Sequence, residues 1–352
     1  MLKADFVKPD KAFKTHNSVP LKVVLTNTGD QDLSVLTWNT PLDTLITDCL
    51  DVTVDGKKVE YDGPIIKRGA PTAKDYKLIK AGQSIVTDFP VSDAYDTSKP
   101  GTYQVKLKTA MPDVQPKRAK LAAALKAPGF APTEQPIKGK TTFTVEKGEG
   151  RRLTMGAAAR SKEKTAKAAK AASVTAAAKA KAKKKPAKKA LLTPLITGGT
   201  AAEKTQAKQA HIDGYNLCVA ALTGLKNDAS YKEWFGVHTT TRFNKVVSNY
   251  TAVKSRMESV QFTYNLTGAD CGSGVYAYTY KGTSTIWFCD QFWAAPATGT
   301  DSKAGTVLHE HTHSDASTDD NVYGQTACRN LAISNPNNAV ANADSHEYYG
   351  KG

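Results

Sequence analysis

The sequence predicts a multidomain chain: an all-β region over residues 1–150, an Ala/Lys-rich linker over 151–190 and an α+β region over 191–352. Three observations carry that prediction. Apolar and polar residues alternate in short runs through the first part, composition narrows to alanine and lysine in the second, and long helical patterns followed by short strands fill the third. With 352 residues the chain exceeds the usual single domain, and each outer part is long enough to bury a core.

In the first part, residues 21–27 and 101–107 alternate apolar and polar, and residues 52–61 read as a hairpin turning at Asp55-Gly56. Residues 141–146 form the last strand of the series. Several short strands separated by turn signals suggest an immunoglobulin-like sandwich. The stretch from Pro112 to Lys140 interrupts the pattern with Lys117, Arg118, Lys120, Lys126, Lys138 and Lys140 among alanines and prolines, which makes it a loop.

The formal net charge of +15 suggests nucleic acid until it is located. Residues 151–189 hold fourteen Lys/Arg against one Glu, a net of +13, while 190–352 carry −2 and 1–150 carry +4. Neither outer part is strongly basic. The linker favours helix by composition but has no apolar stripe to pack, so it should be a frayed helix or an open tether.

Beyond it, Ala201 to Thr223 reads as a helix stopped by Gly224, and Thr240 to Val260 as a second. Short strands are expected over 261–266, 275–280 and 285–289, then a helix through residue 313, another after Tyr323 and a C-terminal segment. No apolar stretch is long enough to cross a membrane. No signal peptide is read at Met1-Leu2-Lys3-Ala4-Asp5, so a secreted protein would have lost its leader from this sequence and gained Met1. The five cysteines form no Cys-x-x-Cys pair, and the four in the second half, Cys218, Cys271, Cys289 and Cys328, are compatible with two disulfides in an oxidising compartment.

Three of the seven histidines fall within five positions, His309, His311 and His313, with Glu310 among them. On a helix His309 and His313 share one face, Glu310 stands beside the first, and His311 points elsewhere. Two neutral imidazoles suit a zinc ion and leave room for a third protein ligand and a water of lowered pKa. A carboxylate that does not ligate can take that water's proton and hand it to a leaving amine, and Glu310 is the candidate. The residues after His313 lack the Gly and His of a metzincin, and a thermolysin-like third ligand would have to be Glu347.

A few residues past His313 the chain reads Ser317-Thr318-Asp319-Asp320-Asn321-Val322-Tyr323-Gly324. It resembles the Gly-Thr-x-Asp-x-x-Tyr-Gly signature of the aspzincins, the family of deuterolysin and peptidyl-Lys metalloendopeptidase, and the resemblance extends over roughly residues 200–350. It implies a zincin-like metalloprotease fold with one zinc per chain, His309, His313 and Asp320 as ligands, Glu310 as general base and Tyr323 as the hydrogen-bond donor to the developing oxyanion. Ser317 stands where the family usually has Gly, and Asp319 is the rival of Asp320. Cys271 with Cys289 resembles a family disulfide, which leaves Cys218 with Cys328 as a second candidate pair and Cys49 as a free buried thiol.

The stretch Asn342-Ala343-Asp344-Ser345-His346-Glu347-Tyr348 is similar to one that, in lysine-specific members, supplies the Asp and Glu holding a substrate lysine; the matching residues are Asp344 and Glu347. This implies cleavage of protein and peptide substrates on the amino side of lysine. The linker lysines then become substrates, so the chain is expected to be a secreted, monomeric zymogen that processes itself between residues 162 and 190. Its first domain would be an inhibitory pro-domain, with a lysine of the 112–140 loop in the Asp344/Glu347 pocket or the loop over the zinc. The alternatives are a broad-specificity deuterolysin-like protease and, from the Ala-Lys-Pro tract alone, a nucleic-acid binder; no specific nucleic acid and no membrane partner are expected.

Overall fold

Where the first part alternates, its strands bury alternate side chains. A computed structural model of the chain describes all residues except 44–45, 109–110, 117–120, 122–124, 126–132, 176–189, 269–270, 273 and 352. In the strand Pro20–Asn27, Leu21, Val23, Leu25 and Asn27 are buried and the residues between them are not. The expected hairpin pairs Leu50–Val54 with Lys57–Val59, and its turn needs positive φ at both Asp55 (48°) and Gly56 (76°), as a type I′ turn demands.

The chain divides into two units. The first, Met1–Pro64 with Pro71–Ala158, is β-rich. Its sheets run Leu2–Val7, Pro20–Asn27, Ser84–Pro90; then Phe13–Lys14, Lys140–Glu146, Gly101–Leu107, Leu50–Val54, Lys57–Val59; and Val114–Pro116, Leu33–Leu36, Tyr76–Ile79. Pairings are antiparallel except Phe13–Lys14 with Lys140–Glu146. One core gathers Leu21, Val52, Tyr103, Val105 and Phe143.

The second unit, Ile65–Ala70 with Ala159–Gly352, mixes helices with a five-stranded sheet, an α+β arrangement. The sheet order is Leu195–Thr197, Thr263–Asn265, Thr285–Phe288, Val275–Thr279, Ile65–Arg68. Its first two pairings are parallel and its last two antiparallel. The edge strand is thus supplied by residues that lie far upstream in sequence. No periodicity marks Ile65–Arg68, because all four of its residues are buried.

Helices form where caps and apolar faces coincide. Thr200 caps Ala201–Gly224 with Glu203 closing a capping box, and Thr239 caps Thr240–Ser259 by accepting from the Arg242 N–H. Both pack on the helix Lys303–Ala316, which is buried from Lys303 to Ser314, as does Ala343–Gly350. Gly214 permits a close approach: a Cβ there would lie 2.9 Å from the Ala304 carbonyl oxygen. The linker begins as a helix, Met155–Thr175, and the expected cut region continues into residues 176–189, outside the described residues. Among the described residues no helix is long and apolar enough to cross a membrane.

Candidate active site

The site grows from the helix Lys303–Ala316. Ser302 opens it by accepting from the Gly305 N–H at 3.0 Å. His309 and His313, four residues on, share one face with their Nε2 atoms 2.9 Å apart. The helix stops at Ser317, which takes the left-handed conformation (φ 56°) and returns its N–H to the His313 carbonyl. That reversal brings the Thr318 carbonyl to 2.9 Å from His313 Nδ1. His313 Nδ1–H donates there, so Nε2 keeps its lone pair for a ligand.

Asp320 completes a triangle, its Oδ1 lying 3.1 Å from His309 Nε2 and 3.2 Å from His313 Nε2. Ligands of a tetrahedral ion at 2.0–2.1 Å stand roughly 3.3 Å apart. The three donor atoms therefore have the spacing and chemistry of a zinc site. Both Asp320 oxygens are buried without a hydrogen-bond partner, which calls for a cation. Burial works against its charge, but the two imidazoles outweigh burial and hold the carboxyl well below the usual range. His309 is pushed down by burial and by the Lys67 ammonium, yet Asp320 and Asp344 raise it to about 10, so a metal ion competes with a proton there. Asp319 turns away, 51% exposed and paired with Lys281 at 2.5 Å.

Glu310 is fully buried beside this triangle, with neither oxygen hydrogen-bonded. Burial raises its carboxyl to about 8, with the charge of Asp320 adding to burial and those of His309 and Lys67 opposing it. The backbone N–H of Lys67 faces that carboxylate, outside hydrogen-bond geometry. Tyr323 donates its hydroxyl to the Ile66 carbonyl oxygen at 2.8 Å.

Asp344 and Glu347, three apart on the helix Ala343–Gly350, are buried and grip one ammonium. Lys67 Nζ lies 2.9 Å from Asp344 Oδ1 and 2.6 Å from Glu347 Oε2, with Asp301 at 3.8 Å. Asp344 Oδ2 accepts from the Gly324 N–H (2.8 Å) and the Tyr348 hydroxyl (3.2 Å), and Lys351 reaches Glu347 Oε1 at 2.5 Å. Burial raises Asp344, but the Lys67 and His309 charges hold it far below the carboxylate range. His309, Asp344 and Glu347 could also be read as ion ligands; the ammonium of Lys67 already supplies the cation.

Two features escape sequence reasoning. Asp344 Oδ1 is also 2.8 Å from His309 Nδ1, off the line of a hydrogen bond, so one carboxylate touches both the lysine pocket and a histidine of the triangle. The other is Lys67 itself. The expected pocket lysine of the 112–140 loop is therefore corrected to Lys67, 277 positions from Asp344. Lys138 and Lys140 are exposed, and Lys117, Arg118, Lys120 and Lys126 fall outside the described residues.

His311 leaves the opposite face of the helix, held by Tyr264 (2.9 Å) and Asp315 (2.9 Å). Arg256 holds Asp315 in turn, and Tyr264 meets His211. Cys271 and Cys289 form a disulfide. The second candidate pair does not: Cys218 and Cys328 are free and buried, like Cys49. The Cys218 thiol donates to the Tyr250 carbonyl, whereas Cys328 sulfur accepts from Asn342, so each faces a different neighbour.

Comparison with known proteins places the chain in a family. A family model described as lysine-specific metallo-endopeptidase, the aspzincins, matches residues 221–351. An extracellular protease of Aeromonas hydrophila is 30% identical over 350 residues, covering 95% of this chain and 88% of its own. The chain belongs to the aspzincin family. As an aspzincin it is a zinc metalloendopeptidase and acts on protein or peptide substrates. A peptidyl-Lys metalloendopeptidase of Pleurotus ostreatus is 38% identical over 161 residues, 44% of this chain and 94% of that one. The structure of a zinc peptidase from Grifola frondosa matches at 34% identity with a TM-score of 0.41, covering 44% of this chain and 96% of that one.

Proposed function

We propose that this aspzincin is a secreted, monomeric endopeptidase that cleaves on the amino side of lysine and is made as a zymogen that processes itself. His309, His313 and Asp320 hold the zinc. When bound, zinc polarises a peptide carbonyl and lowers the pKa of a water. Glu310, fully buried beside the triangle, takes the proton from the attacking water and gives it to the leaving nitrogen. Tyr323 donates to the oxygen on which charge develops.

Asp344 and Glu347 select lysine. A neutral side chain would leave Asp344 Oδ1 and Glu347 Oε2 buried without the ammonium between them, which costs far more than a lost surface contact. The observation that carries the reading is the Lys67 ammonium between these carboxylates, with its own peptide bond between Tyr323 and Glu310. The β-rich first unit, read as an immunoglobulin-like pro-domain, would be released by cuts between 162 and 190. The name of the Aeromonas relative supports secretion. A broad deuterolysin-like specificity is the competing reading, and Glu347 speaks against it.

Zinc-loaded protein should yield new N-termini that are lysines, and the Glu310→Ala chain should stay full length. Cleavage of a denatured protein of known sequence, mapped with and without chelator, decides the specificity; termini other than lysine would remove the lysine reading and leave the protease.

A further inference from the structure

The strand Ile65–Arg68 is bound as a peptide substrate would be. It adds to the edge of Val275–Thr279 in antiparallel register, pairing Ile65 with Thr279, Ile66 with Tyr278 and Lys67 with Ala277. Its neighbour Gly69 donates its N–H to the Gly274 carbonyl at 2.9 Å. Strand addition of this kind anchors a peptide by its backbone and leaves selection to the pockets beneath its side chains.

Three contacts then fall on the one peptide bond Ile66–Lys67. Its carbonyl oxygen accepts from Tyr323, its N–H faces Glu310, and the side chain on its amine side enters the Asp344/Glu347 pocket. The ammonium there is wholly buried, 5.5 Å from the Tyr276 ring centroid, and occupies the position between the two carboxylates. Gly305 completes the fit, because a methyl at that position would collide with the Glu347 carboxylate.

We propose that Ile65–Arg68 is an internal substrate mimic, with Lys67 as the resident lysine, and that a chain carrying it in place cannot take up a substrate lysine. The inference rests on the lysine-pocket reading and adds to it the residue that fills the pocket. Both ends of the strand run on into the first unit, at Pro64 and Pro71, and the strand lies upstream of the cuts proposed between 162 and 190. Latency and specificity then share one pair of carboxylates.

The test uses the full-length Glu310→Ala chain, which cannot process itself, with and without Lys67→Ala. A fluorescent peptide with one internal lysine, and its alanine counterpart, are titrated with zinc present. The lysine peptide should bind at least ten times more tightly to Glu310→Ala/Lys67→Ala than to Glu310→Ala, and more tightly than the alanine peptide does. Equal binding to both chains, with lysine still preferred over alanine, overturns the mimic while leaving the pocket reading intact. Loss of the lysine preference in both chains overturns the pocket reading and the mimic with it.

Because removing Lys67 takes the shared ammonium from two buried carboxylates and could disturb folding, amine labelling of the unmutated Lys67 in the Glu310→Ala chain gives an independent measurement. Lys67 should stay unlabelled while Lys58, 66% exposed, reacts; equal labelling of the two would overturn the proposal.

Discussion

Ser317 carries a backbone strain that glycine would not. Its φ of 56° lies in the left-handed region, which costs a residue with a Cβ about 1–2 kcal/mol. The turn cannot relax, because it carries the chain from His313 to Asp320. Ser317→Gly should therefore raise stability by about 1 kcal/mol, a shift of roughly 2–4 °C in Tm for a unit of this size; an unchanged melting curve would mean that the surroundings already offset the strain. Tyr323 makes a separate prediction. With the role proposed for it, removing its hydroxyl as Tyr323→Phe should lower kcat/KM for lysine peptides by roughly 10²–10³-fold with little change in Tm, the usual cost of losing one oxyanion donor. A loss confined to KM would assign it to binding alone.

At the level of the element, the helix Lys303–Ala316 owes its work to being buried on every side. One face carries His309 and His313, the opposite face fastens His311 to Tyr264 and Asp315, and Gly305 lets the helix Ala343–Gly350 come close enough for Glu347 to reach the pocket. Alanine is the better helix former by about 1 kcal/mol, so propensity alone would make Gly305→Ala stabilising. The collision with Glu347 should win, since a displaced buried carboxylate loses its ammonium partners. Expected is a KM for lysine peptides raised at least tenfold; an unchanged KM with a higher Tm would show that Glu347 yields at no cost.

For the whole molecule, acid sensitivity stems from two buried histidines. Burial is the main cause that holds His211 and His346 down at about 4, against an ordinary 6.5. Between those values the unfolded chain binds the extra protons. Their contribution to stability is complete above pH 6.5 and falls away towards pH 4, by up to about 1.4 kcal/mol per pH unit for each histidine. Asp320 and Asp344, held below 3.8, add their loss only at lower pH. The urea midpoint of the Glu310→Ala chain should therefore drop between pH 7 and 4.5, and less so for a His346→Gln variant. A midpoint independent of pH in that window would count against neutral buried imidazoles.

Residue order along the chain was enough for everything local. Helical spacing puts His309 and His313 on one face with Glu310 beside them, while Asp320, Tyr323, Asp344 and Glu347 were singled out by the resemblance of two short stretches to a family signature, each stretch read from neighbours along the chain. The capped helices and the hairpin at Asp55-Gly56 were legible for the same reason. Packing in three dimensions was needed for what lies across the sheet: that Lys67 fills the pocket, that Asp344 also meets His309, and that Cys218 and Cys328 face different partners. A strand of four buried residues has no alternation to read, and an ammonium finds its carboxylates by proximity in space, which spacing along a chain does not encode.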